Sequence, residues 1–282
     1  MITFENVTHV YNQGMPNQRV ALDDINLRFE DGEFVGIIGH TGSGKSTLIQ
    51  HMNGLLKPTT GRVLIDGQNV STRGLDINLN VGIVFQYPED QIFEQTVFKE
   101  IAFGPQNMKL DSNEIKKRVT EAMDFVGLPE DMLETSPFDL SGGQKRRIAI
   151  ASVIAMRPRV LVLDEPTSGL DSIGKKNILQ QIHDHHKKEK TTVVLVSHSM
   201  EEVTQHVDRV VVLEKAKVKM EGKINEIFER ANELREIGLD IPRISVVFLK
   251  LKELGYDVKN VYTLEQAKAE FLRLKKHLGF KK

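Results

Sequence analysis

The stretch Gly39-His40-Thr41-Gly42-Ser43-Gly44-Lys45-Ser46-Thr47 follows an apolar run, Phe34-Val35-Gly36-Ile37-Ile38, and opens a helix-like segment. A strand, a glycine-rich loop and a helix start in that order constrain the chain more than any other feature. The glycines let the backbone curl until successive N–H groups face one anion, and the positive end of the following helix adds to the attraction. Such a loop cradles nucleotide phosphates, with Lys45 reaching the β- and γ-phosphates and Ser46 offering its hydroxyl to Mg²⁺. A plain glycine-rich turn is the competing reading, and the strand in front of the loop argues against it.

A second cluster, Leu140-Ser141-Gly142-Gly143-Gln144, precedes the helical stretch Lys145-Arg146-Arg147-Ile148-Ala149-Ile150-Ala151. Ser141 and Gln144 have the spacing of a capping box, in which each side chain satisfies a backbone N–H of the first turn. Gly142 and Gly143 leave the same helix end uncovered for a phosphate. Further on, the continuous apolar run Val160-Leu161-Val162-Leu163 reads as a strand buried on both faces that delivers Asp164 and Glu165 at its polar end. Two adjacent carboxylates there suit metal chemistry. Asp164 would hold Mg²⁺ directly or through water, and Glu165 would polarise an attacking water as general base.

Two more apolar runs end in polar residues, Val84-Phe85-Gln86 and Thr192-Val193-Val194-Leu195-Val196-Ser197-His198. Taken together and in this order, the motifs over residues 1 to about 225 resemble those of ABC transporter ATPases. The resemblance implies that Ser141, Gly142, Gly143 and Gln144 are the signature that contacts the γ-phosphate of ATP held on a partner subunit. It makes Ser168-Gly169-Leu170-Asp171 the D-loop, His198 the switch histidine at the γ-phosphate, and Gln86 the Q-loop glutamine that reaches toward Mg²⁺ and the attacking water. Tyr11 falls where the family places a ring that stacks on adenine, a packed surface tyrosine being the alternative.

The finer resemblance is to the second ATPase subunit of energy-coupling factor importers, carried by Gly39-His40-Thr41-Gly42 continuing into Gln50-His51-Met52-Asn53-Gly54-Leu55-Leu56, by Gln86-Tyr87-Pro88-Glu89-Asp90-Gln91-Ile92-Phe93, and by the layout of the tail. The implied fold is α/β: an ABC ATPase core with a parallel sheet and an N-terminal β-rich subdomain over residues 1–222, a helical subdomain at about 91–157, and a helical dimerisation domain at 223–282. The implied cofactors are ATP and Mg²⁺. The implied partners are a paralogous ATPase, an integral membrane coupling subunit that meets the region 86–103 through Glu89 and Asp90, and a substrate-binding membrane subunit, which together place the chain on the cytoplasmic face of the membrane. If Lys45 and Ser141 lie on opposite edges of one face, a single chain cannot offer both to one nucleotide, so the working unit is a dimer with ATP between subunits.

Composition agrees. The 38 basic residues nearly cancel the 39 acidic ones, which gives no global attraction to nucleic acid. No apolar run approaches the 18 residues a membrane span needs, and Met1-Ile2-Thr3-Phe4-Glu5 has no signal-peptide pattern. With no cysteine, disulfides and thiol catalysis are excluded. The competing class, a soluble ABC ATPase acting on nucleic acid or ribosomes, usually carries two cassettes in one chain or a long coiled coil, and this sequence has neither. A nucleotide sensor without hydrolysis is a third reading, opposed by intact Glu165 and His198.

Patterning fills in the rest. Residues 1–80 read as short strands and turns, with Asp66-Gly67 as a hairpin pair. Asp111 and Glu114 form a cap-like pair before Ile115, Val119, Ala122 and Val126 at helical spacing. His183, Asp184, His185 and His186 read as a solvated helix end running into lysines. In the tail, Pro242 starts a helix with Ile244, Val247, Leu251 and Leu254 on one face and Gly255 ends it. Thr263 and Gln266 then cap a second helix with Leu264, Ala267, Phe271, Leu274 and Leu278 at helical spacing.

Overall fold

The computed structural model describes residues 1–71 and 80–277, so Leu278 and the end of the N-terminal region at 72–79 lie outside the described residues. The strands are β1 (Ile2–Tyr11), β2 (Arg19–Phe29), β3 (Phe34–Gly39), β4 (Thr60–Ile65), β5 (Gln68–Asn69), β6 (Val81–Val84), β7 (Val160–Asp164), β8 (Thr192–Val196), β9 (Arg209–Glu214) and β10 (Lys217–Lys223). They form an antiparallel sheet of order β2-β1-β4-β5 and a second sheet of order β10-β9-β3-β8-β7-β6. Within the second sheet β9, β3, β8, β7 and β6 run parallel, and β10 closes one edge antiparallel to β9. Asp66 and Gly67, both at positive φ, turn β4 into β5 as the dipeptide predicts.

The apolar runs are continuous because the parallel sheet is covered twice. In β7, Leu161 and Leu163 enter one core while Val160 and Val162 enter the other, and β8 divides Val193 and Leu195 from Val194 and Val196 in the same way. One covering layer is helical and includes α4 (Gly142–Ile154) and α5 (Ser172–Glu189). The other is the antiparallel sheet together with α1 (Lys45–Met52). Each fully buried Val or Leu contributes roughly 1.5–3 kcal/mol, so a polar substitution inside β7 or β8 removes support from the one layer its side chain enters.

Between β6 and β7 the described chain is helical: α2 (Val97–Asn107), α3 (Ser112–Phe125) and α4. Asp111 caps α3 by accepting from the N–H groups of Asn113 and Glu114, and Val119, Ala122 and Val126 are buried beneath it. The histidine run departs from the expectation of a solvated end. His186 meets Phe34 edge-on at 5.2 Å between ring centroids, His185 meets Phe125 at 5.3 Å, and His183 lies 5.6 Å from His206. The lysines at 187, 188 and 190 remain exposed. The charge run hid a helix face that packs on rings, because imidazole is flat and half apolar.

His206 ends α6 (Met200–His206), and its Nδ1 is buried without a hydrogen-bond partner. Burial, with the neighbouring His183 second, pushes its pKa down to about 4. An unfolded imidazole titrates near 6.5, so as pH falls from about 6.5 to about 4 the unfolded chain takes up a proton that the folded chain refuses. The associated stability is complete above pH 6.5 and lost toward pH 4. A His206→Leu variant should therefore lose less stability than the wild type between pH 7 and pH 5 in urea titrations. Equal pH slopes would assign the acid lability to other groups.

The tail comprises α7 (Ile224–Glu229), α8 (Ala231–Glu236), α9 (Arg243–Glu253) and α10 (Leu264–His277). Ile227, Phe228, Ala231, Leu234, Leu239, Ile241 and Tyr262 join the core shared with the parallel sheet, whereas Phe248, Val258, Val261 and Ala267 form a small core of their own. The capping box at Thr263 and Gln266 forms as expected, and α9 ends at Gly255, where the Tyr256 N–H reaches back to the Leu251 carbonyl. The expected apolar face of α9 is only partly the buried one. Val247 and Leu254 are exposed, while Phe248 and Ser245 turn inward and Ser245 Oγ donates to the Val261 carbonyl at 2.6 Å. Two apolar stripes cross on this helix, and spacing alone did not decide between them. In α10, Ala267 is buried whereas Leu264 and Phe271 remain exposed.

Candidate functional site

The parallel strands deliver the sequence motifs to one edge. Ile37 of β3 pairs with Val196 of β8, Asp164 of β7 with the same Val196, and Val84 of β6 with Leu163. The loops that start at Gly39, Glu165, Ser197 and Phe85 therefore leave the sheet side by side, at the carboxyl ends of the strands where open α/β sheets bind ligands.

The loop from Gly39 to Thr47 is built around its glycines. Gly44 caps α1 at φ 109°, and a Cβ there would lie 2.4 Å from the Ala21 carbonyl oxygen. No side chain caps this helix and no acidic residue occupies its first turn, so its N–H groups remain available to an anion. Lys45 Nζ donates to the carbonyls of Gly39 at 2.6 Å and His40 at 2.9 Å. Burial lowers the Lys45 pKa, against the opposing pull of Glu165 and Asp164. Arg19 donates to the Gly42 carbonyl at 3.2 Å, and the Ser43 carbonyl accepts from the Ala216 N–H. Tyr11 OH lies 3.3 Å from Thr47 Oγ1, and its ring meets His9 edge-on at 4.5 Å.

Ser46 Oγ donates to Asp164 Oδ2 at 3.2 Å, which joins the loop to the end of β7. Two oxygen donors held this close, one on a carboxylate, form a donor set suited to a hard divalent cation. Burial raises the Asp164 pKa, opposed by the Ser46 hydroxyl and the Lys45 charge. Glu165 follows in a left-handed conformation, φ 52°, and its N–H donates to the Val196 carbonyl. Burial first, then the Asp164 charge, raise its pKa to about 7. His198 Nε2 stands 3.1 Å from Glu165 Oε1, and burial, Lys45 and His40 hold the imidazole pKa down. Gln86 emerges at the same edge with an exposed side chain.

The signature is assembled separately. Ser141 and Gln144 form the reciprocal capping box, and a Cβ at Gly142 or Gly143 would meet nothing within 4 Å. The end of α4 is thus open to the outside. Asp171 caps α5 by accepting from the Gly174 N–H at 2.7 Å. Glu89 departs from the expectation that it faces a partner, because both its oxygens accept from Arg146 of α4 at 2.9 and 3.0 Å. Asp90 stays exposed. Both acids lie within the short helix Pro88–Gln91.

A family model described as ABC transporter matches residues 22–168, which takes in the phosphate loop, Gln86, the signature and the Asp164-Glu165 pair. The chain belongs to the ABC transporter family. It is an ABC-type ATPase, and ATP is its nucleotide. It is 50% identical over 276 residues to the energy-coupling factor transporter ATP-binding protein EcfA2 of Caldanaerobacter subterraneus subsp. tengcongensis, covering 96% of both chains. To the protein of the same name from Clostridium tetani it is 50% identical over 278 residues, covering 97% of this chain and 96% of that one. Among solved structures, CbiO1 of Clostridium perfringens, described as part of the ABC transporter complex CbiONQ, superposes with a TM-score of 0.73 at 37% identity, over 88% of this chain and 98% of that one. The ABC cassette MJ0796, solved as a dimer in a post-hydrolysis state with ADP and Pi, gives 0.72 at 32% identity, over 79% of this chain and 99% of that one.

Some residues of this ABC site carry no readable signal in the sequence. Arg19 stands at a strand start with nothing to mark it. His40 carries in the sequence only the signal of the loop, yet its Nε2 is hydrogen-bonded to the Ile237 carbonyl, almost two hundred residues away. Gly238, at φ 72°, makes room for that imidazole: a Cβ there would come within 2.8 Å of His40 Nε2.

Proposed function

We propose that this chain is the ATP-hydrolysing subunit, of the second paralogous type, in an energy-coupling factor importer for vitamins or other micronutrients, bound peripherally at the cytoplasmic face of the membrane. The observation that carries the reading is about 50% identity over nearly the whole length to proteins named EcfA2, tail included. The intact edge of Lys45, Ser46, Asp164, Glu165 and His198 supports hydrolysis rather than sensing alone. Among the described residues no helix is long and apolar enough to cross a membrane, so membrane contact runs through partners.

In this reading Tyr11 stacks on the adenine, and residues 39 to 47 wrap the phosphates with Lys45 between the β and γ groups. Ser46, Asp164 and Gln86 would hold Mg²⁺, which supplies charge neutralisation at the β- and γ-oxygens. Glu165 takes the proton of the attacking water while His198 steadies the γ-phosphate. Ser141, Gly142, Gly143 and Gln144 meet the γ-phosphate of ATP bound on the paralogous partner, and Asp171 lies in the loop between the two nucleotides. The exposed apolar residues Val247, Leu254, Leu264, Phe271 and Leu272 support an intersubunit role for the tail.

Coupling to the membrane subunit is assigned to residues 86–103. Phe93 and Phe103 stand exposed there as an edge-to-face pair, 4.9 Å between centroids, and Tyr87 is exposed as well. With Glu89 engaged by Arg146, Asp90 is the exposed one of these two acids and is assigned to meet a basic partner. Asp90→Ala should lower vesicle uptake several-fold while basal ATPase activity of the assembled complex changes little. Equal losses in both would assign Asp90 to the structure of the ATPase itself.

The reading as a whole is tested by tagging the chain in its own host, solubilising membranes gently and identifying what co-purifies by mass spectrometry. A second ATPase, a shared membrane subunit and small substrate-binding membrane proteins are expected. Ribosomal or DNA-maintenance proteins without a membrane subunit would overturn the transport assignment and leave the ATPase standing.

A further inference from the structure

Two loops leave the sheet edge together. One carries Glu165 and, two residues on, Thr167; the other carries Ser197 and His198. Their backbones are tied once, by the Glu165 N–H to the Val196 carbonyl. A buried acid ties them a second time. Glu202, in the first turn of α6 and only 8% exposed, accepts from Thr167 Oγ1 on Oε1 at 2.8 Å and from Ser197 Oγ on Oε2 at 2.8 Å. Thr167 and Ser197 are themselves 3% and 1% exposed. Ser197 Oγ also accepts from the Ser199 N–H, and Ser199 Oγ caps α6 by accepting from the Glu202 N–H.

A first-turn acid is ordinarily explained by the helix dipole, which it serves equally well from the surface. Glu202 turns inward instead, where an unpaired carboxylate would be costly, and both its oxygens are met by hydroxyls from different loops. The location matters because Glu165 holds a left-handed backbone conformation, which persists only where the surroundings over-determine it. We propose that Glu202 is a positioning residue for hydrolysis: by clamping Thr167 and Ser197 it sets the 3.1 Å approach of His198 to Glu165 and thereby the placement of both groups at the γ-phosphate. The same clamp reaches the next loop, because the Thr167 carbonyl accepts from the Leu170 N–H just before Asp171. This inference rests on the roles given above to Glu165 and His198, and a misplacement of about 1 Å at a reacting centre is worth roughly a hundredfold in rate.

The test is steady-state ATPase kinetics and ATP binding on the assembled complex. For Glu202→Ala a fall in kcat of about 10- to 100-fold is expected, with KM and ATP affinity within about threefold of wild type. Glu202→Gln, which keeps the shape and can still bond both hydroxyls, should recover most of the rate. Adding Glu202→Ala to His198→Ala should cost clearly less than Glu202→Ala costs in the wild type, since part of its effect runs through His198. Thr167→Val and Ser197→Ala each remove one arm of the clamp and should give intermediate losses, and they carry the test if Glu202→Ala fails to assemble. Wild-type kcat in Glu202→Ala, a parallel loss of ATP affinity, or full additivity with His198→Ala would overturn the clamp. Wild-type turnover in Glu165→Gln would instead overturn the roles beneath it, so the two failures are distinguishable.

Discussion

Glu165→Gln should leave ATP bound and slow its hydrolysis by about 10²- to 10⁴-fold, the usual contribution of a positioned general base. The amide keeps the size of the side chain and leaves Lys45, Ser46 and Asp164 untouched, so binding survives while proton acceptance is lost. The assembled complex should then accumulate with unhydrolysed ATP and its ATPase subunits closed on each other. The raised pKa of Glu165, about 7, adds a second signature. Only the ionised carboxylate accepts a proton, so wild-type turnover should climb as pH rises through about 7, and the residual rate of the variant should lack that rise. Multi-turnover hydrolysis at the wild-type rate in the variant would remove Glu165 from the chemistry.

Lys45→Ala should act one step earlier. Its ammonium is held over the loop by the Gly39 and His40 carbonyls, close to where phosphate oxygens would sit. Charge-assisted hydrogen bonds of this kind contribute about 1.5–3 kcal/mol, so ATP affinity should weaken by roughly 10- to 150-fold. Equilibrium binding without turnover separates this variant from Glu165→Gln: one loses the ligand, the other keeps it. Unchanged affinity in Lys45→Ala would refute the role given to the lysine.

The local structure of the motifs at the sheet edge was legible because it is set by nearby residues. A glycine-rich loop after a strand, two acids at a strand end and a capping box are each set by a few consecutive residues, and Gly44, Asp164 and Ser141 stand where those patterns put them. What was not legible depends on which distant elements meet. The Glu89 carboxylate was open to a partner until Arg146, more than fifty residues on, claimed it. The histidines of α5 carried the polarity of a solvated end and the shape of a packed face, and only the neighbouring rings decided between them. Helix α9 held two possible apolar faces, and the bond from Ser245 to the Val261 carbonyl goes with the one that turned inward.

The hydrogen bond from His40 to the Ile237 carbonyl ties the history of two distant positions together. Gly238 leaves just enough room for the imidazole, so a side chain at 238 would press on a residue of the glycine-rich loop. Any other residue at 238 would have to displace the His40 ring and also hold a left-handed backbone conformation that side chains disfavour, so glycine should be strongly preferred there. Grafting a tail from another ATPase onto this core would have to respect that pairing, or the foreign segment would unsettle the nucleotide loop before it reached any partner.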